Sequence, residues 1–346
     1  MMATVRAFAP GRVNLIGDHT DYTGGVAMPM AIEWGTTVEV ERGGDWVELS
    51  SSEQAEPAVV ALDVVDPRAV DPPWARYVAG VVAVLRPAVG VVGTVRTTLP
   101  VGAGLSSSAS LEVAVALALG FVGTPHTLAL ACQRAEHLAS GVPSGVMDQL
   151  ASVLGVDGHT LLMDFSSHEV EPVPMPAGVD VIVVHSGQAR ALAGSAYAER
   201  RAQCEAAAAV IGPLREADVD DVARLEDPLL RRRARHVVTE NRRVLDFAAA
   251  LRAGDLVEAG GLMVASHASL AADFEVSTPA LDATVAELSA VAGVYGARLT
   301  GAGFGGCAVA LADADSPVRG WRLHPSPGAR VVLGEHPAPD VGVDGQ

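Results

Sequence analysis

The feature that most narrows the fold is a change of texture along the chain. Before about residue 190, short β-branched runs alternate with helices of modest length; after it come four long amphipathic helices. Thr36–Arg42 and Trp46–Ser51 alternate apolar and polar residues, and with Thr4–Pro10 they read as strands. Helical spacing runs through Trp74–Val84, Leu111–Leu119, Thr127–Ser140 and Pro143–Leu154, with strands at Val89–Thr98, Thr160–Phe165 and Val179–His185. Val59–Pro73, punctuated by acids and prolines, reads as loop. The long helices are Tyr197–Ile211, Leu229–Arg252, Leu256–Ala272 and Thr278–Val291, followed by strands Gly296–Thr300 and Cys307–Ala312 around a glycine-rich turn. Partly segregated strands and helices predict an α+β fold rather than a doubly wound sheet. At 346 residues, two domains are expected. The proline-spaced stretch Glu171–Pro176 divides them into 1–175 and 176–336, with a tail at 337–346.

Charge excludes several chemistries. All 24 basic residues are arginine and none is lysine, against 41 acids, for a net charge of −17. Without lysine there is no Walker A loop and no Schiff-base anchor, so phosphate must be handled by backbone amides, arginine and metal. The acidic balance argues against a nucleic-acid or anionic-membrane partner. The N-terminus carries no signal-type apolar run, and no apolar stretch is long enough to span a membrane. Cys132, Cys204 and Cys307 are odd in number and far apart, which fits a reduced cytoplasmic protein. The arginine cluster Arg231–Arg235, with Arg242 and Arg243, reads as a solvated helix face.

Three segments could carry chemistry. Gly11–Gly25 puts Arg12 and Asn14 on one side of an extended stretch, then Asp18, His19 and Asp21 on a polar loop. Short carboxylates there suit a hydroxyl-bearing ligand, although a turn cap or a metal site would use the same residue types. Pro100–Ser110 combines glycines with consecutive serines at the start of a helix. Glycines let backbone amides approach an anion and the helix N-terminus adds positive potential, while one serine can ligate magnesium; a plain serine-capped helix is the competing reading. Gly301–Gly306 matches GxGxxG but leads into a strand, so it reads as a turn lining a cleft and not as a dinucleotide fingerprint. Asp148, in Ser144–Gln149, can be a carboxylate complementing a helix dipole, or with Glu136 one of two carboxylates serving a metal and an attacking hydroxyl.

Taken together, GRVNLIGDHTDYTGG, PVGAGLSSSAS and ARLTGAGFGGCA resemble the three signature motifs of the GHMP small-molecule kinases, in their galactokinase branch. SGVMDQ, SAYAERRAQCE and GLMVASHASL resemble further segments of that branch, in the same order. The resemblance implies a ribosomal-S5-like N-terminal domain and a ferredoxin-like C-terminal domain, with the active site in the cleft between them. It implies transfer of the ATP γ-phosphate to the anomeric hydroxyl of galactose or a related monosaccharide. Asp148 would then orient or deprotonate that hydroxyl, and Arg12 would neutralise charge between it and the phosphate. Asp18, His19, Asp21, Gly145 and Tyr197 match sugar-binding positions. Gly102, Ala103, Gly104, Leu105, Ser106, Ser107 and Ser108 match the phosphate loop, Trp74 the aromatic beside adenine, and Ser108 and Glu136 the Mg2+ ligands. Asp18 stands where the family usually carries glutamate, which shortens reach by roughly 1.5 Å. After Cys307 the chain has no room for the family's next helix, so one face of the C-terminal sheet is expected to be thinly covered, or covered by a second subunit. The chain is thus expected to be a monomer or a homo-oligomer. Kinases for arabinose or an N-acetylhexosamine, and a non-catalytic sugar sensor, are the alternatives.

Overall fold

In a computed structural model, residues 4–100, 102–189 and 193–332 are described, with backbone alone for 193–195. The expected tail at 337–346 lies outside the described residues.

The N-terminal half contains strands β1 (Thr4–Asn14), β2 (Val26–Ala27), β3 (Pro29–Arg42), β4 (Trp46–Ser51) and β5 (Ala58–Ala61), helix α1 (Ala75–Leu85), then β6 (Val91–Thr97). Helices α2 (Ser107–Ala118), α3 (Pro125–Ser140) and α4 (Met147–Leu154) follow, then β7 (His159–Asp164) and β8 (Glu169–Pro174). The C-terminal half contains β9 (Val179–His185), α5 (Ala193–Ile211), α6 (Val219–Ala223), α7 (Pro228–Ala253), α8 (Leu256–Ala272) and α9 (Pro279–Ser289). It closes with β10 (Val294–Leu299), β11 (Cys307–Asp313), β12 (Trp321–Leu323) and β13 (Arg330–Val332). The boundary expected at 175/176 falls between β8 and β9. From β12 the chain returns, and β13 pairs with β1 on the first sheet.

The first sheet has the order β13-β1-β3-β6-β4-β5, antiparallel except for the β4–β6 pair. Its inner face buries Val38, Val40, Leu49 and Val95 against α1, α2 and α3. The small side chains of α2 let it lie close to the strands: Ser110 donates to Ala9 O at 2.7 Å and accepts from Thr36 N at 3.0 Å. The β1–β3 register shifts between Pro10 and Arg12. At that irregularity sits Gly11, where a Cβ would meet Leu105 O at 2.5 Å, so glycine allows the serine-rich loop to rest on β1. The Arg12 amide then donates to Leu105 O at 3.1 Å.

The second sheet, β10-β11-β9-β12, is antiparallel and ferredoxin-like in order. One face, with Val181, Val183, Val309 and Leu311, joins Val13, Met28, Met30, Phe247 and Met263 in a core shared by both halves. The other face carries Ile182, Ala308, Ala310 and Ala312 beneath α9. The helix missing between β11 and β12 is replaced by a loop. There Val318 packs onto the same cluster, and Arg322 bonds Asp180 and the carbonyls of Ala314 and Ser316. The expected thin cover is therefore not found: Ile182 and the three alanines are all fully buried within the chain. Alanine-sized side chains let one helix and a loop close that face.

Two further expectations are corrected. Arg233 is buried rather than solvated, donating to Gln203 Oε1, Asp273 O and Glu275 Oε2. Val59–Pro73 is not all loop, since β5 adds a four-residue edge strand there.

Candidate active site

Arg12, at the end of β1 beyond the irregularity, and Asp148, in the first turn of α4, meet across 136 residues of sequence. Arg12 Nε donates to Asp148 Oδ1 and Nη2 to Oδ2, both at 2.8 Å, while Nη1 donates to Gly104 O at 2.7 Å. A planar guanidinium fork matched to a carboxylate is a strong and geometrically fixed pair. It clamps Asp148 to the serine-rich loop, whose Ala103 and Leu105 are buried anchors and whose Ser107 is exposed.

The polar loop after β1 folds around His19, which sits among Tyr22, Tyr197 and Phe274. Its Nε2 faces Ala302 O at 3.2 Å and Nδ1 faces the Tyr22 hydroxyl at 2.9 Å. A carbonyl only accepts, so Nε2 carries the proton and Nδ1 accepts from Tyr22. Burial, with His236 and nearby arginines, lowers the His19 pKa to about 3, so the ring is neutral. Asp21 lies over Gly145, where a Cβ would meet its Oδ2 at 1.7 Å; only glycine admits it. Burial, reinforced by Asp148, pushes Asp21 up to about 7. Tyr197, from α5, reaches the same wall; burial raises its pKa, so the phenol keeps its proton.

Asp18 lines the cavity wall, yet both its oxygens are engaged by protein. Oδ2 accepts from Arg298 Nη2 at 2.6 Å and Oδ1 from Gly301 N at 3.1 Å. Burial raises its pKa, opposed by Arg298, Asn14 and Arg12. Next to this pair, Glu240 accepts from Gly17 N and Ser266 and is ion-paired with Arg243.

Ser108 Oγ donates to Glu136 Oε1 at 2.9 Å, and Glu136 Oε2 accepts from Gln149 at 2.8 Å and Ser144 at 3.2 Å. One hydroxyl and one carboxylate at the mouth of a phosphate-type loop suit Mg2+, which takes a few protein oxygens and completes its shell with phosphate and water. Burial first and the charge of Asp148 second raise the Glu136 pKa, opposed by the hydrogen bonds from Gln149, Ser108 and Ser144.

These groups surround a cavity of ≈ 330 Å3 lined by Arg12, Asp18, His19, Asp21, Tyr77, Glu136, Ser144, Gly145, Asp148, Tyr197, Gly301 and Ala302, among others. The structure thus gathers Arg12, Asp18, His19, Asp21, Glu136, Gly145, Asp148 and Tyr197 at one cavity, with residues 102–108 beside it. Trp74 is half-buried with Nε1 donating to Glu56 O at 3.0 Å, and it does not line this cavity; Tyr77, one turn on in α1, does. Sequence reasoning missed Tyr22, Tyr77, Gln149, Arg298 and Glu240. Arg298 alone left a signal, as the single charged residue of β10.

Comparisons with known proteins agree with this site. Residues 3–42 match the galactokinase galactose-binding signature, 76–156 the GHMP kinases N terminal domain, and 247–322 the GHMP kinases C terminal domain. The chain is 44% identical to a galactokinase of Roseiflexus sp. (strain RS-1) over 329 residues, 89% of this chain and 83% of that one. It is 43% identical to the Homo sapiens galactokinase over 335 residues, 91% and 85% of the two chains. The crystal structure of Lactococcus lactis galactokinase complexed with galactose superposes with TM-score 0.89 at 32% identity, covering 95% of each chain. A Methanococcus jannaschii mevalonate kinase, at 18% identity and TM-score 0.67, shares the fold. Fold and site define a GHMP kinase, and within that class the chain belongs to the galactokinases.

Proposed function

We propose that the chain phosphorylates galactose at its C1 hydroxyl with ATP as donor. The observation that carries this reading is the Arg12–Asp148 clamp, because it joins the sugar-side carboxylate to the phosphate-side loop in one rigid unit.

Phosphoryl transfer needs little covalent help from protein; it needs alignment and charge neutralisation. Asp148 accepts the hydrogen bond of the attacking hydroxyl and aims its oxygen at the γ-phosphate. Arg12 stands beside that carboxylate and against the loop, where negative charge spreads during transfer. Residues 102–108 present backbone amides and the start of α2 to the triphosphate, which dispenses with lysine. Asp21, the remaining lone pairs of Asp18, Tyr197 and the Gly145 backbone hold the sugar hydroxyls, while neutral His19, with both ring nitrogens engaged by Ala302 O and Tyr22, shapes the wall they rest on. Ser108 and Glu136 would hold Mg2+, which supplies charge neutralisation at the phosphates. Cys132, Cys204 and Cys307 are all buried, and among the described residues no helix is long and apolar enough to cross a membrane. We place the reaction in the cytoplasm, where an ATP-dependent sugar kinase would act.

The test is ATP turnover against a panel of monosaccharides, with 31P NMR locating the phosphate on the product. Galactose is expected to turn over fastest and to carry phosphate at C1. Phosphate at C6, or equal turnover of arabinose, which lacks the outer CH2OH, would contradict the reading.

A further inference from the structure

The serine that opens α2 behaves unlike a helix cap. Ser106 is the N-cap, yet its backbone is left-handed, with φ 60° and ψ 48°, and its side chain makes no capping bond. A serine in this place ordinarily turns its hydroxyl to an amide of the first helical turn, and left-handed backbone is unfavourable for any residue with a Cβ. Ser106 accepts both costs. Its hydroxyl instead donates to Asp148 Oδ2 at 2.5 Å, and the residue is buried.

Asp148 then has a countable number of acceptor positions. A carboxylate offers two lone-pair directions on each oxygen. Arg12 Nε takes one on Oδ1 and Arg12 Nη2 takes one on Oδ2, while Ser106 takes the second on Oδ2. Nη2 also stands 2.8 Å from Oδ1, but without the direction of a hydrogen bond. Among the described residues, one well-directed acceptor position is left untaken, and it is on Oδ1.

We propose that Ser106 is a positioning residue for phosphoryl transfer: by occupying Oδ2 it leaves Oδ1 to receive the substrate hydroxyl. Because Ser106 lies within the phosphate loop, the same bond couples the loop's conformation to the orientation of that carboxylate. The forfeited cap gives the arrangement a second use, since the first amides of α2 are left free of their own side chain. The inference rests on the reading that Asp148 faces the attacking hydroxyl. It departs from the family resemblance, which gives Ser106 to the nucleotide.

Steady-state kinetics of the full chain, varying sugar and ATP separately, test it on Ser106→Ala and Ser106→Gly, with Asp148→Asn as control. Glycine removes the left-handed strain as well as the hydroxyl, so a purely conformational role would leave Ser106→Gly at parental kcat. Both variants are expected to lose roughly tenfold to a hundredfold in kcat, the worth of a hydrogen bond to a charged group, with KM for sugar and for ATP unchanged. Thermal melting checks that each is folded, and Ser106→Gly is expected to melt no lower than the parent. Parental kcat in Ser106→Gly beside an inactive Asp148→Asn would overturn this inference alone. A loss carried in KM for ATP would also overturn it, returning Ser106 to the nucleotide. Full activity of Asp148→Asn would overturn the underlying reading and the inference with it.

Discussion

Asp18 and Asp21 stand three positions apart on one loop and are held in opposite ways. Asp18 is committed to the fully buried Arg298. Replacing it by asparagine leaves that guanidinium without its nearest counter-charge, with Glu240 3.9 Å away as the remaining one. Breaking one partner of a buried pair costs about 3–5 kcal/mol, so urea unfolding of Asp18→Asn is expected to show a loss of that order; parental stability would contradict the account. Among the described residues no arginine is ion-paired with Asp21, and its pKa is raised to about 7. A carboxyl raised on folding stabilises fully below its unfolded value, near 3.8, and loses that contribution as pH rises through 7. Asp21→Asn is therefore expected to raise the melting temperature relative to the parent more at pH 8 than at pH 4, while weakening sugar binding. An equal difference at both pH values would count against the assignment.

At the scale of elements, sequence periodicity found what is long and locally determined. β4, β9 and α8 lie where their patterns put them, and α7 within a residue at each end. It missed β2, β5, β8, β13 and α6, and the reasons are physical. β8 carries Pro172 and Pro174, tolerable because it is an edge strand, but that edge position exists only once β7 is paired. β13 is three residues whose sole reason for being extended is β1, more than 300 residues earlier (Arg6 pairs Val332). On α7 the helical period was legible but its buried face was not. Arg233 points inward because α5 and the segment after α8 supply its partners, and His236 and Glu240 because α8 and the loop after β1 supply theirs. His236 bonds Asp18 O and Ser269, and burial lowers its pKa to about 4. A histidine depressed on folding stabilises above its unfolded value of 6.5 and loses that contribution as pH falls through about 4. His236→Gln is expected to flatten the fall in melting temperature between pH 7 and pH 4. An unchanged slope would show that the acid sensitivity lies elsewhere.

At the scale of the whole molecule, the site belongs to neither half alone. Gly17 N on Glu240, Val26 N on Asn241, Thr300 on Asn14 O and Arg298 on Asp18 stitch the end of β1 and the loop after it to the C-terminal half, above a shared apolar core. That is why the site was legible as three separate motifs but its wiring was not: Arg12 with Asp148, and Ser106 with Asp148, are contacts over 136 and 42 residues. The lysine-free composition takes on a definite meaning here. On the proposed reading, phosphate handling falls to amides, serines and one arginine fixed by a carboxylate. The most direct test of that claim is single-turnover phosphorylation of galactose by Asp148→Asn, with galactose affinity measured in parallel. The account predicts a rate reduced about a hundredfold or more, with the sugar still bound; phosphorylation at the parental rate would contradict it.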